Sequence, residues 1–339
     1  MKSKKKSGYI LILLTVIVIF LLMKDNYQEI TNAIIHVKIS WIFITIILYL
    51  LYLLLQTIPF FDFVKLYKKD ITFSYMFYIM VVTNFFNGIT PLATGGQPLQ
   101  VYELHKKNIS VVDATNAVIQ NSIIYQIAVV IWMLLAITIN HIFHFFVITK
   151  ALRNLMIIGI ILNVLLLLLF IIVSFSKKFN QKLINVFINI LSKVHIIKKP
   201  QEKKKKWQKT CTEFYNNSKI LLDNKKILLK GVIIILIAFS FYYSIPLTIS
   251  YALNCSENMT IITTMVLSSF VLLSSNYLPI PGATGGMEYT FVGYFKNFVT
   301  GFKLNALLLI WRFITYYLPT IVGGIIFNVY SLNNTEKNS

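Results

Sequence analysis

The hexapeptide Pro91-Leu-Ala-Thr-Gly-Gly96 returns 190 residues later as Pro281-Gly-Ala-Thr-Gly-Gly286, with five of its six positions unchanged. Each copy interrupts apolar sequence, and no other feature constrains the fold as strongly. Proline lacks the N–H a helix needs and the glycine pair favours non-helical backbone, so neither copy continues a helix. In hydrocarbon, such backbone is tolerated only where protein or a wet cavity surrounds it. Matched interruptions in two halves of a membrane chain mark a transport site. The bland alternative is a pair of kinks or connecting loops.

The surrounding composition leaves little room for a soluble domain. The chain is 57% hydrophobic and 13% charged, and several apolar runs approach the ~20 residues that cross a bilayer. The expected fold is an all-α polytopic membrane protein, a single domain over 1–339. It has about eight spans, with two re-entrant or broken half-helix segments arranged as an inverted repeat. The spans are Gly8–Met23, Trp41–Phe61, Phe73–Ile89, Thr115–Ile139, Leu155–Phe175, Ile227–Tyr251, Met259–Ile280 and Leu304–Tyr330. The first run has no small-residue cleavage site and reads as a retained span. Cys211 and Cys255 lie too far apart in sequence for a metal or redox motif.

The net charge of +20 comes from 32 Lys and Arg against 12 Asp and Glu. The lysines lie between spans, which favours lipid headgroups over nucleic acid. Residues 177–230 hold 15 of them. Within the basic loop 177–226, Leu183, Phe187, Ile190, Leu191 and Val194 form a helical stripe. This suggests a helix on the membrane surface; a solvated loop is the alternative. If each break returns the chain to the side it came from and the N-terminus is cytoplasmic, 25 Lys and Arg face inward and six outward, Arg312 lying within a span. Failure of the first break to return would place the 15-lysine loop outside, against the positive-inside bias. The two breaks then enter from opposite faces, and both termini are cytoplasmic.

At each break a returning half-helix starts near Gly96 or Gly286. Its first N–H groups carry the positive end of the helix dipole. Thr94, Gly95, Thr284 and Gly285 complete a cradle for an anion such as a lipid phosphate. Asn84, Asn87, Gln97 and Gln100 flank the first break, Ser268, Ser269, Ser274, Ser275 and Asn276 precede the second, and Gln120, Asn121 and Gln126 follow. Together they suggest a hydrated lining, although each alone fits helix packing. Arg312 is the one charge deep in a span and Glu288 begins a half-helix. Intramembrane charge calls for a partner or a role. They either pair with each other, or divide the work, Arg312 holding phosphate and Glu288 a cationic headgroup or a proton. His141 and His144 lack nearby carboxylates, so no metal site is expected. No catalytic or cofactor motif is present, and an oligomer is compatible with all of this.

Three stretches, Thr90–Tyr102, Pro279–Glu288 and Leu309–Pro319, resemble the transmembrane region of the lysylphosphatidylglycerol synthases, the multiple peptide resistance factor or flippase-like family. The likeness covers nearly the whole chain. It implies a bacterial plasma membrane and a region that flips lysyl-phosphatidylglycerol to the outer leaflet, aiding resistance to cationic antimicrobial peptides. Glu288 and Arg312 match the family's acidic and arginine positions, and Tyr316 falls in the third stretch, so these join the expected lipid-binding set. Gln97 stands where many relatives have an acid. In longer members a soluble domain transfers lysine from lysyl-tRNA to phosphatidylglycerol. This chain ends about nine residues after the last span, and that domain is expected to be absent. The expected activity is therefore translocation of an anionic or aminoacylated phospholipid; the alternatives are the lysyltransferase itself and a membrane partner that recruits enzymes through its basic loop.

Overall fold

The computed structural model describes residues 27–146, 148–193 and 200–336. The expected first span, Gly8–Met23, and Val194 lie outside them. The described residues form helices: α1 (Tyr27–Ile35), α2 (Ile39–Val64), α3 (Phe73–Ile89), α4 (Gly96–Lys106), α5 (Val111–Phe143), α6 (Lys150–Phe175), α7 (Lys177–Lys193), α8 (Pro200–Asp223), α9 (Lys225–Ala252), α10 (Ile261–Ser275), α11 (Gly286–Phe295), α12 (Gly301–Arg312) and α13 (Leu318–Glu336). Starts are set by hydroxyl caps: Thr72, Ser110, Thr149 and Thr260 each accept from the N–H three residues on. One π-turn, Phe313–Tyr317, joins α12 to α13.

Among the described residues, α2, α5, α6, α9 and the α12–α13 unit are long and apolar enough to cross a membrane. The protein is all-α and polytopic. Two segments expected as spans, α3 and α10, have 17 and 15 residues, about 26 and 23 Å at 1.5 Å per residue. They fall short of the ~30 Å hydrocarbon core. Each is instead the first arm of a hairpin. Tyr75, near the start of α3, donates to Glu103, near the end of α4, at 2.9 Å. Gln100 reaches Thr83 at 3.2 Å further up. In the second hairpin Ser274 and Ser275 of α10 meet Tyr294 and Met287 of α11.

The repeat extends far beyond six residues. Adding 190 to the bounds of α3, α4 and α5 gives 263–279, 286–296 and 301–333, closely the bounds of α10, α11 and α12–α13. The first helices of the two repeats, α2 and α9, pack antiparallel. Trp41 stacks on Tyr251, Thr45 bonds Thr248, Tyr52 meets Tyr242, and Asp62 pairs with Lys230. Tyr52 and Tyr242 are themselves related by the offset, their rings 4.6 Å apart. The flanking contacts Tyr49–Tyr242 and Tyr52–Phe239 are both 6.4 Å. A pseudo-two-fold axis thus passes between these two tyrosines, perpendicular to the helices, and the repeats are inverted. Each hairpin's first arm leans on the last span of the other repeat, α3 on α13 and α10 on α5. The two broken turns, Pro91–Ala93 and Pro281–Ala283, touch.

The polar segment before α2 holds α1, packed on α12. The basic loop is two helices, α7 and α8, packed on each other and, through α8, on α5, α6 and α9. Leu183 of the expected stripe is 47% exposed, whereas Ile188 is buried. Asn116 and Asp113 at the start of α5 bond Phe214, Ser218 and Asn217 of α8. This end of the molecule therefore carries the lysines of α7 and α8 beside Lys65, Lys68, Lys106 and Lys107. Among the described residues the opposite end has few: Lys38, Lys150, Arg153, Lys296 and Lys303. Helix α6 turns Ile158, Ile161 and Leu165 outward, each more than half exposed, as a lipid-facing helix does.

Candidate functional site

The two turns share an unusual backbone. Leu92 and Gly282 have φ of 56° and 62°, and Ala93 and Ala283 have 51° and 50°. Three of these are non-glycine residues in the left-handed region, a conformation that costs side chains roughly 1–2 kcal/mol each. Gly282 has a further reason to be glycine. A Cβ there would lie 2.2 Å from Cζ of Tyr316, whose ring packs on the turn. Tyr316 then donates to the carbonyl of Gly88 at 2.9 Å, tying the second repeat's last span to the first hairpin.

Three of the expected free amides are already bonded. Gly95 N–H donates to Thr90 Oγ1 and Gly96 N–H to Asn87 Oδ1, both at 2.9 Å. Gly285 N–H donates to Glu288 Oε2 at 2.5 Å, half of a capping box. Thr94 and Thr284 bond back onto their own turns, donating to the carbonyls of Pro91 and Pro281 at 3.0 and 2.9 Å. The physical reason is local: hydroxyl and amide side chains compete for nearby backbone groups wherever a chain leaves a helix. An anion reaching these amides has to displace Thr90, Asn87 or Glu288. Thr94 is exposed and Gly286 sits against Leu278.

The charge pair is built on the second turn. Glu288 Oε1 lies 2.7 Å from Arg312 Nε, and both side chains are almost fully buried, 6% and 4% exposed. The approach is close but off the hydrogen-bond direction, so it is an ionic contact. Arg312 Nη2 donates to Gly282 O at 3.0 Å. The guanidinium rests 4.4 Å above the Tyr316 ring, a cation–π contact of about 1–2 kcal/mol when desolvated. The π-turn begins right after Arg312 and contains Tyr316; its extra residue re-aims that ring relative to a plain helix. Glu103 is not the counterpart of Glu288. It is buried at the base of the first hairpin, paired with Lys106 at 2.9 Å, and the 190-residue offset puts Pro98 opposite Glu288.

Two cavities meet at the touching turns. One, of about 160 Å³, is lined by Arg312, Tyr316, Trp311, Tyr242 and the second turn. The other, of about 340 Å³, is lined by Gln97, Gln100, Asn121, Ser122, Gln126 and Tyr277. Asn84, Asn87, Leu92, Ala93 and Asn276 border both. Of the residues expected to line a hydrated path, these amides do so. Ser268, Ser274 and Ser275 bond neighbouring core groups instead, and Gln120 bonds Ser174 away from the cavities. The lining role of Tyr52, Tyr242 and Tyr277 had no marker in the sequence, since single tyrosines in apolar spans read as core. Among the described residues no group of three His, Cys, Asp or Glu could hold a metal.

The sequence model of the family described as the lysylphosphatidylglycerol synthase TM region matches residues 9–323. An uncharacterized protein of Mycoplasma genitalium is 22% identical over 356 residues, covering 95% of this chain and 86% of that protein.

Proposed function

The chain belongs to the lysylphosphatidylglycerol synthase TM-region family, a family of membrane lipid handling, and on that premise we propose that it is a translocase moving an anionic or aminoacylated phospholipid between leaflets. The observation that carries this is the meeting of two hairpins, one from each inverted repeat, around cavities that hold a buried arginine. A headgroup needs a polar route through the bilayer while its acyl chains stay in lipid. Hairpins too short to span, entering from opposite faces, make such a route at the midplane. The lysine-rich end, with α7 and α8, faces the cytoplasm of a bacterial plasma membrane, and both termini lie there. Release of the headgroup outward would lower the negative surface charge that attracts cationic antimicrobial peptides, if the lipid carried is lysyl-modified.

The site residues divide accordingly. Arg312 contacts the phosphate, with Tyr316 holding its plane. Gln97 and Gln100 line the approach. Thr94, Gly95, Gly96, Thr284, Gly285 and Gly286 shape the two turns, and Glu288 neutralises Arg312 until a phosphate arrives. Reconstituting the full chain in proteoliposomes and following leaflet distribution tests this: phospholipid redistributes faster than in protein-free vesicles. Unchanged asymmetry at equal protein insertion would rule translocation out. The family's description also favours a second reading, phosphatidylglycerol lysyltransferase. Lipid extracts from an expressing host separate the two, because only the transferase raises lysyl-phosphatidylglycerol from lysyl-tRNA.

A further inference from the structure

We infer that the headgroup this site takes is an anionic phosphodiester whose other polar groups are uncharged hydroxyls, and that an aminoacyl headgroup is selected against. The inference rests on the translocase reading and narrows its substrate. Across the two adjoining cavities, Arg312 is the single charged lining residue among those described. Among the described residues no carboxylate lines them. Glu288 does not line either cavity; it borders a separate space of about 310 Å³ beside Lys296. Both its oxygens are engaged, one against Arg312 and one by Gly285 N–H.

The rest of the polar lining is neutral. Asn84, Asn87, Asn276, Asn121, Gln97 and Gln100 offer amide donors and acceptors, which match hydroxyls without a charge on either side. A phosphodiester supplies the anion that a buried guanidinium favours, and its oxygens match the guanidinium fork. An ammonium meets the opposite conditions. It would lose its hydration with no free carboxylate to replace it, since Glu288 is already engaged by Arg312 and Gly285, and burying an unpaired charge is the most costly of polar transfers. The selectivity is therefore set by what the lining lacks as much as by Arg312.

Proteoliposomes holding the full chain, with phosphatidylglycerol in one set and lysyl-phosphatidylglycerol in another, test this directly. Phosphatidylglycerol is expected to redistribute faster by on the order of tenfold or more, the scale at which a site rejects a substrate that leaves polar groups unpaired. The double variant Gln97→Glu with Asn276→Asp brings carboxylates to the lining and is expected to shift the preference toward lysyl-phosphatidylglycerol. Faster movement of the lysyl lipid by the unaltered protein overturns the inference and leaves translocation intact. Uptake of soluble glycerol phosphate without lipid movement overturns the lipid assignment. Should neither lipid move, translocation falls. Native mass spectrometry of the purified protein then decides selectivity alone: retention of phosphatidylglycerol over the lysyl lipid, lost in Arg312→Gln, supports it, and the reverse order overturns it.

Discussion

Arg312 is held by an ionic contact, a hydrogen bond and an aromatic face, and removing one partner leaves a buried charge exposed to apolar surroundings. Glu288→Gln is expected to destabilise the protein by about 3–5 kcal/mol, the usual cost of orphaning one member of a buried pair. Thermal unfolding in detergent checks this, and Glu288→Gln combined with Arg312→Gln should recover part of the loss. The two turns give a matched comparison. Gly282→Ala adds a methyl 2.2 Å from the Tyr316 ring and a left-handed penalty, together about 2–4 kcal/mol. Leu92→Ala, at the equivalent position with φ of 56° and a side chain 47% exposed, should stay within about 0.5 kcal/mol. Equal melting temperatures for the two variants would contradict the close packing of Tyr316. The arginine–glutamate pair was legible in sequence because a charge in an apolar span demands a partner. The caps were not: Asn87 bonding Gly96 across nine residues depends on how the turn folds, which no local pattern encodes.

At the level of elements, the repeated hexapeptide located both breaks, and the hairpins follow from it. Apolar content made α3 and α10 resemble full spans, because hydrophobicity reports burial without saying whether lipid or protein does the burying. Their shortness emerged only with the packing of α4 and α11 against them. The contact of the two turns has a direct test. Replacing Cys211 and Cys255 by serine and adding Leu92→Cys with Ala283→Cys should allow a short bifunctional thiol reagent to join the hairpins. The linked protein should lose lipid movement, and reduction of a cleavable linker should restore it. Absence of any cross-link, with both thiols individually reactive, would separate the turns.

Across the whole molecule, the inverted repeats bring the two hairpins in from opposite ends, and the proposed orientation, which rests on the lysine imbalance, puts the lysine-rich end in the cytoplasm. Cysteines placed at Lys69 and Lys107 should be labelled by an impermeant maleimide only from the cytoplasmic face, and those at Lys150 and Lys296 only from outside. Burial raises both native thiols, Cys211 upward and Cys255 up to about 11, so they are poor nucleophiles at neutral pH and give little background. Labelling of Lys107→Cys and Lys296→Cys from one face would end the inverted arrangement. The overall plan was legible because lysine placement and apolar runs act over long stretches. The pairing of α7 with α8 was not, since their amphipathic faces fit a membrane surface as well as each other.

The ring pair formed by Tyr52 and Tyr242 joins two residues that the repeat offset itself relates. Any motion that interchanges the shapes of the two halves carries each tyrosine into the other's place, so their tilted ring contact is the same before and after. If transport proceeds by such an exchange, these rings are its fulcrum, and a probe placed there should stay silent while probes on the two hairpins respond.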